Sequence, residues 1–370
     1  MKMRVLQYQL QFTTPAFLGD AEQNGRWRAP PFKAQLRQWW RVAYAADKNF
    51  SVDVEEMRRE EGLLFGNAWL SHREGNREVA DHRKSLVQIR LSHWELGKQA
   101  SWEGLEQGTV NHPEVQKTNY KVGPQAYLGF GPLDARGGTK LAKANAAIQA
   151  GESARIAIAF PRAHEDAALD ILLRANAPRI ERALHLMHLY GSVGGRSRNG
   201  WGSYVMEPIE GSPPWPAASD ALSMRSWRDA LALDWPHAIG SDERGALIWT
   251  TGALPDWRAV MRRLAEARIA LRTQFAFTTG NVAAAPEKRH WLSYPVTNHS
   301  VKPWGNDARL PNTLRFKARP TSDGKLVGVI FHVPHLPPAA FRPDRRVIEG
   351  VWAKVHAKLD ATPGLARSKE

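Results

Sequence analysis

The 370-residue sequence predicts an α+β fold in two halves. Three observations lead to it. Segments with strict polar and apolar alternation are interleaved with segments of helical period along the whole chain. The order of those segments before residue 210 is repeated in outline after residue 240. Between them, GSPPWPAASD, from Gly211 to Asp220, has the proline content of a linker.

The first segment, Val5 to Phe12, puts Leu6, Tyr8, Leu10 and Phe12 on one face and Gln7, Gln9 and Gln11 on the other, which predicts a half-buried strand. The turn-rich loop TTPAFLGD follows. From Pro31, PFKAQLRQWWRVAYAAD predicts a helix with proline in its first turn, and Phe32, Leu36, Trp39 or Trp40, and Ala43 recur on one side. VDVEEMRREEGLLFGN predicts a second, shorter helix, with Asp53 and Glu55 where the helix dipole favours them. SLVQIRLSHWEL and SARIAIAF alternate as strands. The stretch between them, from about Gly97 to Ala150, is rich in Gly, Gln, Asn and Lys and reads as a long, partly mobile insertion. LDILLRANAPRIERALHLMHLYGS reads as a helical hairpin broken at Pro178, and a glycine-rich loop then leads into the strand WGSYVMEPI.

The most economical arrangement of this order is a ferredoxin-like, or RRM-like, domain over residues 1–210. A linker over 211–240 and a second, smaller domain of the same kind over 241–370 complete the chain. The second half has a strand in GALIWTTG, a helix in PDWRAVMRRLAEARIALRT, strands in NTLRFKARP and KLVGVIFHV, and a closing helix in DRRVIEGVWAKVHAKL. A degenerate duplication accounts for the shared order.

Lys and Arg number 51 against 37 Asp and Glu, a formal net charge of +14 that points to a polyanionic partner, nucleic acid or an anionic membrane surface. No apolar run approaches the roughly 20 residues that a membrane span needs, and MKMRVLQYQLQF alternates where a signal peptide would be uniformly apolar, so a cytoplasmic protein is expected. The absence of cysteine excludes disulfides and thiolate metal sites. Core volume must come from packing, for which 15 tryptophans are a large supply.

Candidate binding residues fall in three places. On the first helix Lys33, Arg37 and Arg41 are spaced i, i+4 and i+8, with Arg26 and Arg28 upstream and no acid from residue 26 to 41. Such cations are free to meet phosphates, or else form a solvated helix face. The loop GSVGGRSRNGWGSY offers Gly194, Gly195, Gly200 and Gly202 for close backbone approach to phosphate, with Arg196, Arg198 and Asn199 beside them. It lacks the Gly-Lys-Ser or Gly-Lys-Thr of a nucleotide-triphosphate loop, and it joins a helix to a strand, the reverse of the dinucleotide-binding order, so no nucleotide cofactor is expected. Asn199-Gly200 equally reads as a tight turn. Near the end, Arg309, Arg315 and Lys317 either extend a basic track or line the wet face of a strand.

His185 and His188 share a helix face but have no third ligand nearby, so no metal is expected. His82, His93 and His112 are acid–base candidates that nothing in the pattern singles out, and no catalytic group is identified.

Thr14, Pro15, Phe17, Leu18, Gly19, Arg28, Pro30, Leu36, Arg37, Trp39, Trp40 and Arg41 together resemble the N-terminal signature of RAMP proteins, in particular the first subunit of the type III-B CRISPR (Cmr) effector complex. Gly195, Arg196, Arg198, Gly200 and Gly202 are similar to the family's glycine-rich loop. The second half is similar to the family pattern except that Arg309-Leu310-Pro311-Asn312-Thr313 stands where the family has Arg-Leu-x-Ser-Pro. The resemblance implies two ferredoxin-like RAMP domains in a noncatalytic subunit. That subunit would hold guide RNA near its 3′ end, or target RNA, beside other RAMP subunits. Asp20, which follows the motif, is read as a loop acid. Two alternatives stand beside this reading. A RAMP endoribonuclease that processes repeat RNA would usually carry its glycine loop near the C-terminus and a histidine near the N-terminus, whereas here the loop is mid-chain and the first histidine is His72. A purely architectural subunit would use Trp39 and Trp40 as contacts to neighbouring proteins.

Overall fold

The computed structural model describes residues 2–106, 108–115, 121–135, 138–143, 147–209, 211–221 and 223–368. In the first half, β1 (Met3–Phe12), β2 (Gln88–Leu91), β3 (Ser153–Pro161) and β4 (Tyr204–Ile209) form one sheet. Its order is β4-β1-β3-β2, antiparallel throughout. Helix α1 (Pro30–Asp47) and the shorter α2 (Val54–Phe65) follow β1, and α3 (Ala167–Tyr190) follows β3. The alternation in β1 buries Leu6, Tyr8, Leu10 and Phe12 against the helices. Proline opens α1, while Asp53 and Asp166 cap α2 and α3 by accepting backbone N–H groups of their first turns.

The second half is built the same way from β5 (Ile248–Thr251), α4 (Trp257–Thr273), β6 (Leu314–Pro320), β7 (Leu326–His332), α5 (Arg345–Asp360) and β8 (Leu365–Arg367). Its sheet order is β6-β7-β5-β8, again antiparallel, so counted within each half both sheets run 4-1-3-2. The two sheets are not separate bodies. Ile248, Val329 and Phe331 face the first half, where Phe331 packs on Trp39 and Tyr190, and Trp249, Phe316 and Ile330 face the second half's own helices. The layers are therefore sheet, helices, sheet, helices, and helices α1 and α3 are covered on both sides.

Several expectations are altered by this packing. The helix predicted to break at Pro178 runs unbroken from Ala167 to Tyr190. A proline in a helix interior costs about 3 kcal/mol, which the burial of Leu173, Ile180, Ala183, Leu184 and Met187 on one stripe outweighs. The described part of the insertion is packed: Trp102, Leu128 and Leu133 are buried in the second core with Trp201 and Trp249. It also carries a short helix, Pro124–Gly129, and a hairpin formed by Asn67–Glu74 and Arg77–Arg83 precedes β2. The stretch read as a linker is seated on the protein, with Trp215 stacked on Tyr8 at 4.8 Å between ring centroids and Trp227 and Leu231 buried.

Candidate nucleic-acid interface

The two sequence motifs meet. After β1, Pro15 and Phe17 accept the N–H groups of Gly202 (2.8 Å) and Gly195 (2.9 Å), and the Thr14 hydroxyl donates to the Gly200 carbonyl at 2.8 Å. Across the other side of the loop, the Phe316 N–H on β6 donates to the Arg198 carbonyl at 3.0 Å. The glycine loop is thus clamped between the halves. Its glycines serve that clamp: Gly202 has φ +63° and a Cβ there would lie 1.9 Å from the Val193 carbonyl oxygen, and Gly200 has φ +93° against Leu264 and Met261. Much of the expected cradle of backbone N–H groups is engaged within the protein. Those of Gly195, Asn199, Gly200 and Gly202 all donate to protein carbonyls. Asn199 is buried, donating to the Leu128 carbonyl at 2.7 Å and accepting from Arg268, so it joins the loop to the insertion and to α4.

What the loop does present is side chains. Arg196 and Arg198 enter a cleft of about 1230 Å³ between the loop, the insertion, α4 and the segment 293–312. Arg268 and Arg272 from α4 and Arg309 from the last segment line the same cleft, with Tyr127 and Phe130. Five guanidinium groups converge there, and Glu106 is the one acid among the described lining residues. Its carboxylate is already engaged, accepting the N–H groups of Gln125 and Ala126 at the start of the short helix and the Thr139 hydroxyl, each at 2.9 Å. Burial lowers the pKa of Arg196, Arg198 and Arg268, and burial followed by repulsion from Arg268 lowers Arg272 to about 10. Behind the loop Arg315 is lowered to about 9, by burial and then by Arg198. Arg196 and Arg309 are exposed and Arg198, Arg268 and Arg272 half-buried, so with no free carboxylate among the described lining residues these like charges repel one another and attract an anion.

The other predicted cations are placed differently. Arg37 and Arg41 both bind the buried Glu61 of α2, at 2.6 and 2.8 Å, so the stripe that lacks an acid in its own segment finds one on the next helix. Arg26 pairs with Asp20 at 3.0 Å, and Arg28 donates to the Gly19 carbonyl. Asp20 also accepts the N–H groups of Glu22 and Asn24, as a loop acid, and its pKa is lowered chiefly by Arg26. Lys33 is half-buried, and its pKa is lowered by burial and then by Arg37. Lys317 is not on a wet strand face. It is wholly buried, and its ammonium donates to the His188 carbonyl at 2.5 Å, in the last turn of α3, where unpaired carbonyls attract a cation. His188 in turn accepts the Met206 N–H and lies beside Trp215 with His185, and among the described residues no group of three or more His, Cys, Asp or Glu could hold a metal ion. Trp39 and Trp40 are fully buried, so the architectural reading loses its proposed contact residues.

Arg268 and Arg272 are the site residues that sequence reasoning missed. The available signal was position: they continue the stripe of Met261, Leu264 and Ala265 that α4 buries, and arginine on an apolar stripe needs a reason.

No family model and no curated protein matches the chain. Solved structures do show similarity. Cmr1 from Pyrococcus furiosus, in its apo form, is 16% identical over 89% of this chain and 87% of that one, with a TM-score of 0.41. A chain of the type III-B Cmr-beta complex bound to cognate target RNA is 11% identical over 96% of this chain and 100% of its own, with a TM-score of 0.46. In the same complex with AMPPnP and single-stranded DNA the values are 12%, 96%, 100% and 0.47. Among the described residues no helix is long and apolar enough to cross a membrane.

Proposed function

We propose that this chain is a noncatalytic RNA-binding RAMP subunit of a type III-B CRISPR (Cmr) ribonucleoprotein, made of two ferredoxin-like domains, that holds guide RNA near its 3′ end or target RNA in the cytoplasm. The observation that carries the reading is the convergence of Arg196, Arg198, Arg268, Arg272 and Arg309 on one cleft whose single described acid is engaged elsewhere. A chain of phosphates supplies the spaced negative charge that such a cleft lacks. The repeated 4-1-3-2 sheet order supports the two ferredoxin-like halves. The meeting of Thr14, Pro15 and Phe17 with the glycine loop gives the two RAMP-like motifs a joint purpose, which is to hold Arg196 and Arg198 at the junction. The noncatalytic reading is supported by the lining itself, where no histidine stands among the described residues and Glu106 is committed.

Ultraviolet crosslinking of the chain to RNA within the assembled particle tests this. Crosslinked peptides are expected to map to residues 127–130, 196–198, 268–272 and 309, with the RNA intact. Crosslinks confined to other surfaces, or a discrete cut by the purified chain, would overturn it.

A further inference from the structure

We infer that the cleft takes RNA as an unpaired single strand, with one base stacked on the ring of Phe130. This rests on the reading of the cleft as an RNA site and specifies which form of RNA enters. Phe130 is 61% exposed and lines the cleft. A lone exposed aromatic is ordinarily unremarked, but this one is held outward by a fixed loop. Leu128 and Leu133 on either side of it are buried, Gly129 packs on Leu133 and Trp201, and Gly131 makes the turn at φ +112° with its N–H on the Leu133 carbonyl at 3.2 Å. The Phe130 carbonyl accepts the Arg196 Nε at 2.6 Å, and a Cβ on Gly131 would lie 3.5 Å from the same guanidinium. The turn and the glycine loop, joined by that bond, therefore present an apolar ring and a cation side by side.

That pairing matches the two parts of a nucleotide. The guanidinium meets the phosphate, the ring meets the face of the base, and Arg268 and Arg272 continue the charge along the cleft. Inside a duplex both faces of a base are covered by its neighbours, so away from a duplex end the ring has a partner only in a strand whose bases are unpaired. An acidic peptide would satisfy the arginines but leave the ring without a flat partner, so the RNA strand fits more of the site. The turn already holds the ring outward, so binding need not reorganise it.

The test is fluorescence anisotropy on the full chain with a single-stranded RNA, the same sequence as a duplex, and a strand carrying 2-aminopurine. Phe130→Ala is expected to weaken single-strand binding by about 5- to 150-fold, the range for one stacked base, while Phe130→Trp retains it. Duplex affinity and the salt dependence should be unchanged, and 2-aminopurine quenching on binding should be lost only in Phe130→Ala. Wild-type single-strand affinity in Phe130→Ala, with Arg268→Gln/Arg272→Gln still impaired, would sink the stacking and leave the RNA site standing. If neither variant loses affinity, the RNA site falls as well. Polyglutamate that binds with the same dependence on Phe130 would also overturn the inference.

Discussion

Replacing Arg268 and Arg272 together by glutamine removes two of the five guanidinium groups in the cleft without changing the apolar stripe beneath them. Each phosphate contact to a single strand contributes a slope of about −0.7 to log K against log salt, so five contacts give about −3.5 and three give about −2.1. Between 50 and 200 mM salt, the wild type should then lose about 130-fold in affinity and the variant about 20-fold. Titration of labelled single-stranded RNA at four salt concentrations reads this directly. A second readout separates binding from folding. Glutamine relieves the repulsion among the gathered cations but gives up the Arg268 bond to Asn199 and the Arg272 bond to Ser293, so the variant should melt close to the wild-type temperature. RNA at 100 times its Kd should stabilise the wild type by about 2.7 kcal/mol, and the variant by less at that same concentration. Equal salt slopes for the two proteins would refute the cleft as the phosphate-binding surface. So would a variant that binds normally but melts far below the wild type, since its arginines would then be structural.

Other expectations concern cations that the structure pairs within the protein. Arg37→Ala with Arg41→Ala strands the buried Glu61 and should cost about 3–5 kcal/mol in urea unfolding, while RNA affinity of the folded fraction is unchanged. Lys317→Met leaves the His188 carbonyl unpaired in the interior and should cost about 1–3 kcal/mol, again with normal RNA binding. Acid should destabilise the protein from about pH 6.5 downward: burial, the largest cause, holds His237 and His290 at about 4 and His356 at about 3. Over that window the unfolded chain binds the protons that these folded-state histidines refuse, so stability falls with pH by up to about 1.4 kcal/mol per unit for each. Thermal melts at pH 7 and pH 5 check the sign.

The order of elements was legible in the residues because period-2 and period-3.6 patterns are local properties. Leu6, Tyr8, Leu10 and Phe12 had to share a face whatever they packed against, and they do. The same holds for the second-half strands and helices and for Arg196 and Arg198 as projections of the glycine loop. What the chain alone could not reveal was pairing over long separations. The absence of acids from residue 26 to 41 was a true local statement, but a carboxylate twenty residues on, Glu61, folds back onto Arg37 and Arg41 because α2 packs beside α1. Lys317 alternates like a wet strand residue, yet its strand lies against the end of α3, and the helix carbonyls hold it buried.

By itself, the sequence determined the α+β class, the repeated element order and a positive charge with no place for thiolate metals. Only the tertiary structure decided which of the cations share a site. Clamping of the glycine loop between the halves brings Arg196, Arg198, Arg268, Arg272 and Arg309 together from three distant stretches of chain. Electrostatic interaction depends on separation in space and on burial, and neither is encoded in spacing along the chain.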